Sequence, residues 1–133
     1  MADMPMITQG LVPYITPSDA PAAAEFYKQA FGATEVVPQL ADDGKRYMHC
    51  SMKINGNYLF MSDSFPEYGA TYVTPQGFNL HLQVDDADFW WKRATDAGCT
   101  VTMPLEKQFW GDLYGQLKDP YGISWAIGST PKV

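Results

Sequence analysis

Little in this chain announces a specialised chemistry. It has two cysteines and two histidines in 133 residues. Cys50 and Cys99 fall in apolar, strand-like contexts, which suits buried free thiols in a reducing cytoplasm better than a disulfide or a metal site. No apolar run reaches the roughly 18 residues of a membrane span. The opening MADMPMITQG has neither a basic end nor an apolar core, so it does not read as a signal peptide. Basic residues are scarce as well: nine Lys and Arg stand against fifteen Asp and Glu, a net charge of -6. That balance argues against nucleic acid or an anionic membrane as partner. There is no GxGxxG, no GxxxxGK[ST] and no GxSxG, and the Ser, His and Asp spacing suggests no triad.

The chain does contain a repeat. Asp19 returns as Asp85, Gly32 as Gly98, Pro38 as Pro104 and Gly56 as Gly122, each sixty-six residues on. With 46% hydrophobic and 14% aromatic residues, the whole chain 1–133 suits one domain with a real core. Within it the repeat defines a first module over 8–64, a linker over 65–76 and a second module over 77–129. In the first, strands are expected at 11–16, 34–39, 47–54 and 58–62, the last two joined by the Asn55-Gly56 turn. A helix is expected at 22–31, capped by Ser18 or Asp19 and ended by Gly32. In the second, strands are expected at 78–84, 100–103, 115–118 and 123–127, a helix at 87–97, and a loop at 106–114. Each module is therefore βαβββ, and the fold class is α+β with a curled mixed sheet around a cleft. The acidic cluster Asp85, Asp86 and Asp88 opens the second helix, where carboxylates complement the helix dipole. The linker carries Phe65, Tyr68 and Tyr72 and is expected to pack.

Alternation assigns faces. Phe78, Leu80, Leu82 and Val84 point one way; Asn79, His81 and Gln83 point the other. Ile123, Trp125 and Ile127 oppose Ser124, Ala126 and Gly128, and Met48, Cys50, Met52 and Ile54 oppose His49, Ser51 and Lys53. One face is apolar and helix-covered. The other is polar with small residues on its floor, so two curled halves would enclose a polar cleft.

Duplicated βαβββ with a DPYG turn before the final strand resembles the vicinal-oxygen-chelate superfamily, the glyoxalase/bleomycin-resistance/dioxygenase fold. ITPSDAPAAAEFYKQAFGA, MHCSMKINGNYLFMSD, LHLQVDD and QFWGDLYGQLKDPYGISWAI resemble its PhnB-like branch, also filed under a 3-demethylubiquinone methyltransferase name. No glycine-rich S-adenosylmethionine loop follows a first strand, so that name gains no support. Relatives often carry Arg where this chain has Leu113. The resemblance implies a homodimer. It also implies, for metal enzymes, one divalent ion held by side chains from the first and last strand of each module. Those positions here are Val12 or Pro13, Asn79, Phe60 and Ala126, none a good ligand. No cofactor is therefore expected, and a divalent metal is disfavoured.

The expected function is small-molecule binding in the cleft, for a planar or hydroxylated ligand, in the manner of the bleomycin-resistance branch. The ligand-binding candidates are Tyr14, His49, His81, Gln83, Trp110 and Tyr114, with His81 and His49 also the candidate catalytic bases. Either histidine can equally be a hydrogen-bonded structural group. Phe109, Trp110 and Tyr114 can line the cleft mouth or cap the core at a boundary. Asp112 reads as a turn residue. The alternatives are an enzyme of lyase or dioxygenase type, using a non-standard metal site or histidine acid-base chemistry, and an interaction module with a self-filled cleft.

Overall fold

The computed structural model describes residues 6–131. The elements run β1 (Tyr14–Ile15), α1 (Ala20–Phe31), β2 (Thr34–Leu40), β3 (Tyr47–Ile54), β4 (Asn57–Met61), β5 (Leu80–Gln83), α2 (Ala87–Ala97), β6 (Thr100–Lys107), β7 (Leu113–Lys118) and β8 (Ser124–Ser129), with a short 3-10 turn at Pro66–Tyr68. The result is α+β: two four-stranded mixed sheets, ordered β1-β4-β3-β2 and β5-β8-β7-β6. In each, the first and last strands of the module pair in parallel and the others pair antiparallel. No helix among the described residues is long and apolar enough to cross a membrane.

Local chemistry sets the helix ends. Asp19 caps α1 by accepting from Ala22 N at 3.1 Å, and Gly32 closes it at φ 66, a left-handed conformation that favours glycine. The buried Asp63 carboxylate accepts from Ala20 N and from Tyr47 N, both at 2.7 Å, and so ties the start of α1 to the start of β3. In α2 the cap is Asp86, accepting from Phe89 N at 3.1 Å. This corrects the repeat: Asp19 corresponds to Asp86, not Asp85. Tyr14 lies opposite Phe60, and His81 lies opposite Ala126. Asp19 to Asp86 and Tyr14 to His81 are each sixty-seven residues; Gly32 to Gly98 and Phe60 to Ala126 are each sixty-six. The slip falls in the helices, twelve residues in α1 and eleven in α2.

The core belongs to both modules. Phe31 of α1 stacks on Trp125 of β8 with ring centres 4.2 Å apart. Asp119, buried in the turn before β8, accepts from Tyr121 N (2.8 Å) and Ile123 N (3.0 Å) on Oδ1, and from the Tyr27 hydroxyl (2.6 Å) and Trp125 Nε1 (2.9 Å) on Oδ2. Arg93 of α2 donates to the carbonyls of Gln29 (2.7 Å) and Lys28 (3.2 Å), which satisfies the last turn of α1. Gly115 lets the Trp91 ring close on the sheet, since a Cβ there would lie 2.6 Å from it.

Several bounds differ from the sequence reading. β1 is shorter, because Pro13 breaks it and the Gln9 carboxamide takes the edge of β4 instead, accepting from Tyr58 N at 2.6 Å. β6 continues to Lys107 and β7 begins at Leu113, so the expected loop contracts to five residues, Gln108 to Asp112. Phe78 and Met48, assigned inward by alternation, are about half exposed at the strand ends, where no helix covers them. In the linker Phe65 is buried and Tyr68 is exposed.

Candidate functional site

On each sheet the face away from the helices is open, and the strand registers arrange its side chains in rows. In the second module Lys118 lies opposite Ser124, Gln116 opposite Ala126 and Tyr114 opposite Gly128. On the other side of β8, His81 lies beside Ala126 and Gln83 beside Gly128. β8 is thus a small-residue floor between a wall of His81 and Gln83 and a wall of Tyr114 and Gln116. The close approach is real: a Cβ on Gly128 would sit 3.0 Å from the His81 ring. In the first module Tyr14 and Ser51 flank Phe60, and Lys53 lies opposite Tyr58. Here the floor residue is large. Ser51 beside it is fully buried, with no partner for its hydroxyl.

The register reveals an exchange between the modules. Tyr14 occupies the position of His81, and His49 occupies that of Tyr114. The Tyr14–His49 pair of the first face thus answers the His81–Tyr114 pair of the second, in opposite order. Tyr14 Oη and His49 Nδ1 are hydrogen-bonded at 3.2 Å, with both rings edge-on to Phe60. Burial holds the His49 pKa below its ordinary value. His81 and Tyr114 stack with ring centres 5.7 Å apart. His81 Nε2 lies 2.8 Å from Gln83 Oε1, and Gln83 Nε2 donates to Thr130 Oγ1 at 3.0 Å. Gln116 Nε2 donates to the Tyr114 hydroxyl at 3.0 Å. Trp110 sits 6.2 Å from Tyr114, and Phe109 beside it is 97% exposed.

The six sequence-predicted residues thus form two groups. Tyr14 and His49 meet on the first module; His81, Gln83, Tyr114 and Trp110 gather on the second. Among the described residues no hydrogen bond or ring contact joins the two groups. A cleft of about 310 Å³ separates β4 from β5, lined by Leu11, Pro13, Ile54, Leu59, Leu80 and Trp125, with His81 at its margin.

A family model described as the glyoxalase/bleomycin resistance protein/dioxygenase superfamily matches residues 10–127. The chain belongs to that superfamily. An uncharacterized Mycobacterium bovis protein is 37% identical over 128 residues, covering 92% of this chain and 84% of the other. Protein PA1353 of Pseudomonas aeruginosa has a solved structure with TM-score 0.75 and 26% identity, covering 94% of this chain and all of that one. The PhnB protein of Bacillus cereus shares the fold at TM-score 0.68 and 17% identity, over 92% of this chain and 100% of that one.

The positions that the resemblance implies for the superfamily's metal are Val12 or Pro13, Phe60, Asn79 and Ala126, a set with no imidazole and no carboxylate. A divalent ion needs such donors, so these residues do not fit the superfamily's metal centre. Among the described residues no three His, Cys, Asp or Glu side chains gather as ligands. The sequence reading missed Gln116, Lys118 and Thr130 on the second face. Alternation from Tyr114 would have found the first two, but the expected strand began one residue too late to include Tyr114.

Proposed function

We propose that this chain binds a small planar or hydroxylated molecule on the open face of its second module, without the superfamily's metal centre, and that it works as a homodimer. The observation that carries the reading is the arrangement over β8. Hydrogen-bonding side chains, His81, Gln83, Tyr114 and Gln116, converge from both sides over the small residues of β8 and present their polar groups on one face. The dimer draws support from the separation of the two groups and from their exposed aromatics, including Tyr14 at 53% and Trp110 at 51% exposure. The first module of one copy, with Tyr14 and Phe60, supplies the apolar wall that the second module of its partner lacks. The buried, unpaired Cys50 and Cys99 suit a reducing compartment, and the cytoplasm is our assignment.

The test is a small-molecule screen by thermal shift, followed by His81→Ala. A specific ligand raises the melting temperature by mass action. His81→Ala is expected to weaken that ligand while changing stability by less than about 1 kcal/mol, as at a surface site. A loss of several kcal/mol with unchanged affinity would assign His81 to structure.

One observation favours a second reading, an enzyme of lyase or dioxygenase type with His81 as acid-base group. His81 Nε2 lies 2.8 Å from Gln83 Oε1 in a chain that runs on to Thr130, and with Nε2 donating to that oxygen Nδ1 is the base of this reading. Turnover that disappears in His81→Ala, with ligand still bound, would select this reading. One equivalent of divalent ion surviving dialysis would instead return a metal to the chemistry.

A further inference from the structure

We propose that the second module's open face ends in an oxyanion-binding row centred on Lys118, so that the ligand carries a carboxylate, phosphonate or phosphate group. The inference rests on the reading that the ligand lies on this face. Thr100 lies opposite Lys118 on one side and Ser124 on the other, so all three side chains share the open face. Asn79 immediately precedes Leu80, which lies beside Trp125, and so stands next to Ser124. An ammonium and two hydroxyls form one row across three strands, with the Asn79 carboxamide just ahead of β5 at its end, and every member can donate a hydrogen bond.

The first module supplies the comparison. Its equivalent lysine is Lys53, flanked by Thr34 and Tyr58. Lys53 is already spoken for: Glu35 lies 3.6 Å from its ammonium, and the ammonium sits 5.5 Å from the centre of the Tyr58 ring. Glu35 reaches it from a bulge in β2, at φ 50. The residue in the corresponding place beside Lys118 is Val101, which has no charge to offer. Among the described residues Lys118 makes no ion pair. Asp119, next in the chain, is turned to the opposite face with both oxygens satisfied by Tyr27, Tyr121, Ile123 and Trp125. Glu106 shares the open face but lies opposite Tyr114, two rows away, and Asp112 is in the turn beyond that end.

In a chain of net charge -6, one cation left uncompensated among neutral donors is a place where an anion is held despite the overall field. The His81 row lies two residues further along the strands, about 7 Å at a strand's rise. An aromatic ring bearing an oxyanion spans that interval, with its charged end at Lys118 and its ring against the His81 and Gln116 side chains.

The experiment is an amide NMR titration of the full chain at low salt, using phenylphosphonate, benzoate and the uncharged benzyl alcohol. The two anions are expected to shift Lys118, Ser124 and His81 and to bind at least about tenfold more tightly than the alcohol, the scale of one charge-assisted contact. Lys118→Gln should weaken phenylphosphonate by a similar factor. Lys53→Gln should leave it unchanged, which also shows that loss of a surface lysine is not by itself the cause. Equal binding of anions and alcohol, or equal effects of the two lysine variants, overturns the oxyanion row and leaves the ligand face standing. Absence of any shift on the open face with all three probes overturns both.

Discussion

Asp119→Asn tests the packing of the two modules on each other with almost no change in shape. The carboxylate now serves four buried donors. An asparagine that keeps its oxygen toward Tyr121 N and Ile123 N places its NH₂ against the Tyr27 hydroxyl and Trp125 Nε1. The tyrosine hydroxyl can turn and accept. The indole N–H can only donate, so it is orphaned in a fully buried position. Flipping the amide orphans the two backbone N–H groups instead. Each buried orphan costs about 1–3 kcal/mol, and the surviving bonds lose their charge assistance. The expected loss is about 2–4 kcal/mol, a large part of the roughly 5–15 kcal/mol that holds a domain together. Tyr27→Phe, which removes one donor and leaves the carboxylate three, should cost only about 1 kcal/mol. Urea unfolding followed by circular dichroism measures both. Asp119→Asn within about 0.5 kcal/mol of the parent would refute the view that this carboxylate joins the modules.

Burial lowers the His49 pKa from its ordinary 6.5, so between the native and unfolded values the unfolded chain binds more protons. This contribution to stability is complete above about pH 6.5 and is lost as pH falls toward the native value; a His49 titration midpoint at or above 6.5 by NMR would contradict it. Burial pushes the Cys50 thiol up to about 11 and the Cys99 thiol up to about 12. At pH 8 both should react slowly with a thiol reagent in the native protein and promptly after denaturation, and rapid native labelling of either would count against their burial.

Much of the fold was legible because its signals are local. The Asn55-Gly56 turn bracketed by alternating strands fixed β3 to the residue, and Asp86 and Gly98 bracket an α2 found where the sequence placed it. The parity that put His81 on the open face holds because a one-residue slip would expose Leu82 and Val84. The errors have local causes too. FWGDLYG is rich in turn formers, which masks the first two residues of the strand Leu113–Lys118 and with them the alternation that links Tyr114 to Gln116 and Lys118. A constant repeat of sixty-six paired Asp19 with Asp85, because nothing local marks a helix one residue shorter. The long-range side-chain partners are not legible in the sequence at all. Tyr27 reaches Asp119 across 92 residues of sequence, and Arg46 reaches Glu67 across 21 to clasp the linker.

The stack of Phe31 on Trp125 has a consequence for the chain as two pieces. Neither half owns its interior: the first keeps a helix whose aromatic side is covered by the second, and the second keeps a tryptophan covered by the first. A segment of about sixty residues is marginal even with a complete core, and neither half has one. A cut in the exposed stretch around Tyr68 would therefore yield two fragments that fold only in each other's company. In that sense the molecule is already a heterodimer, joined by a tether.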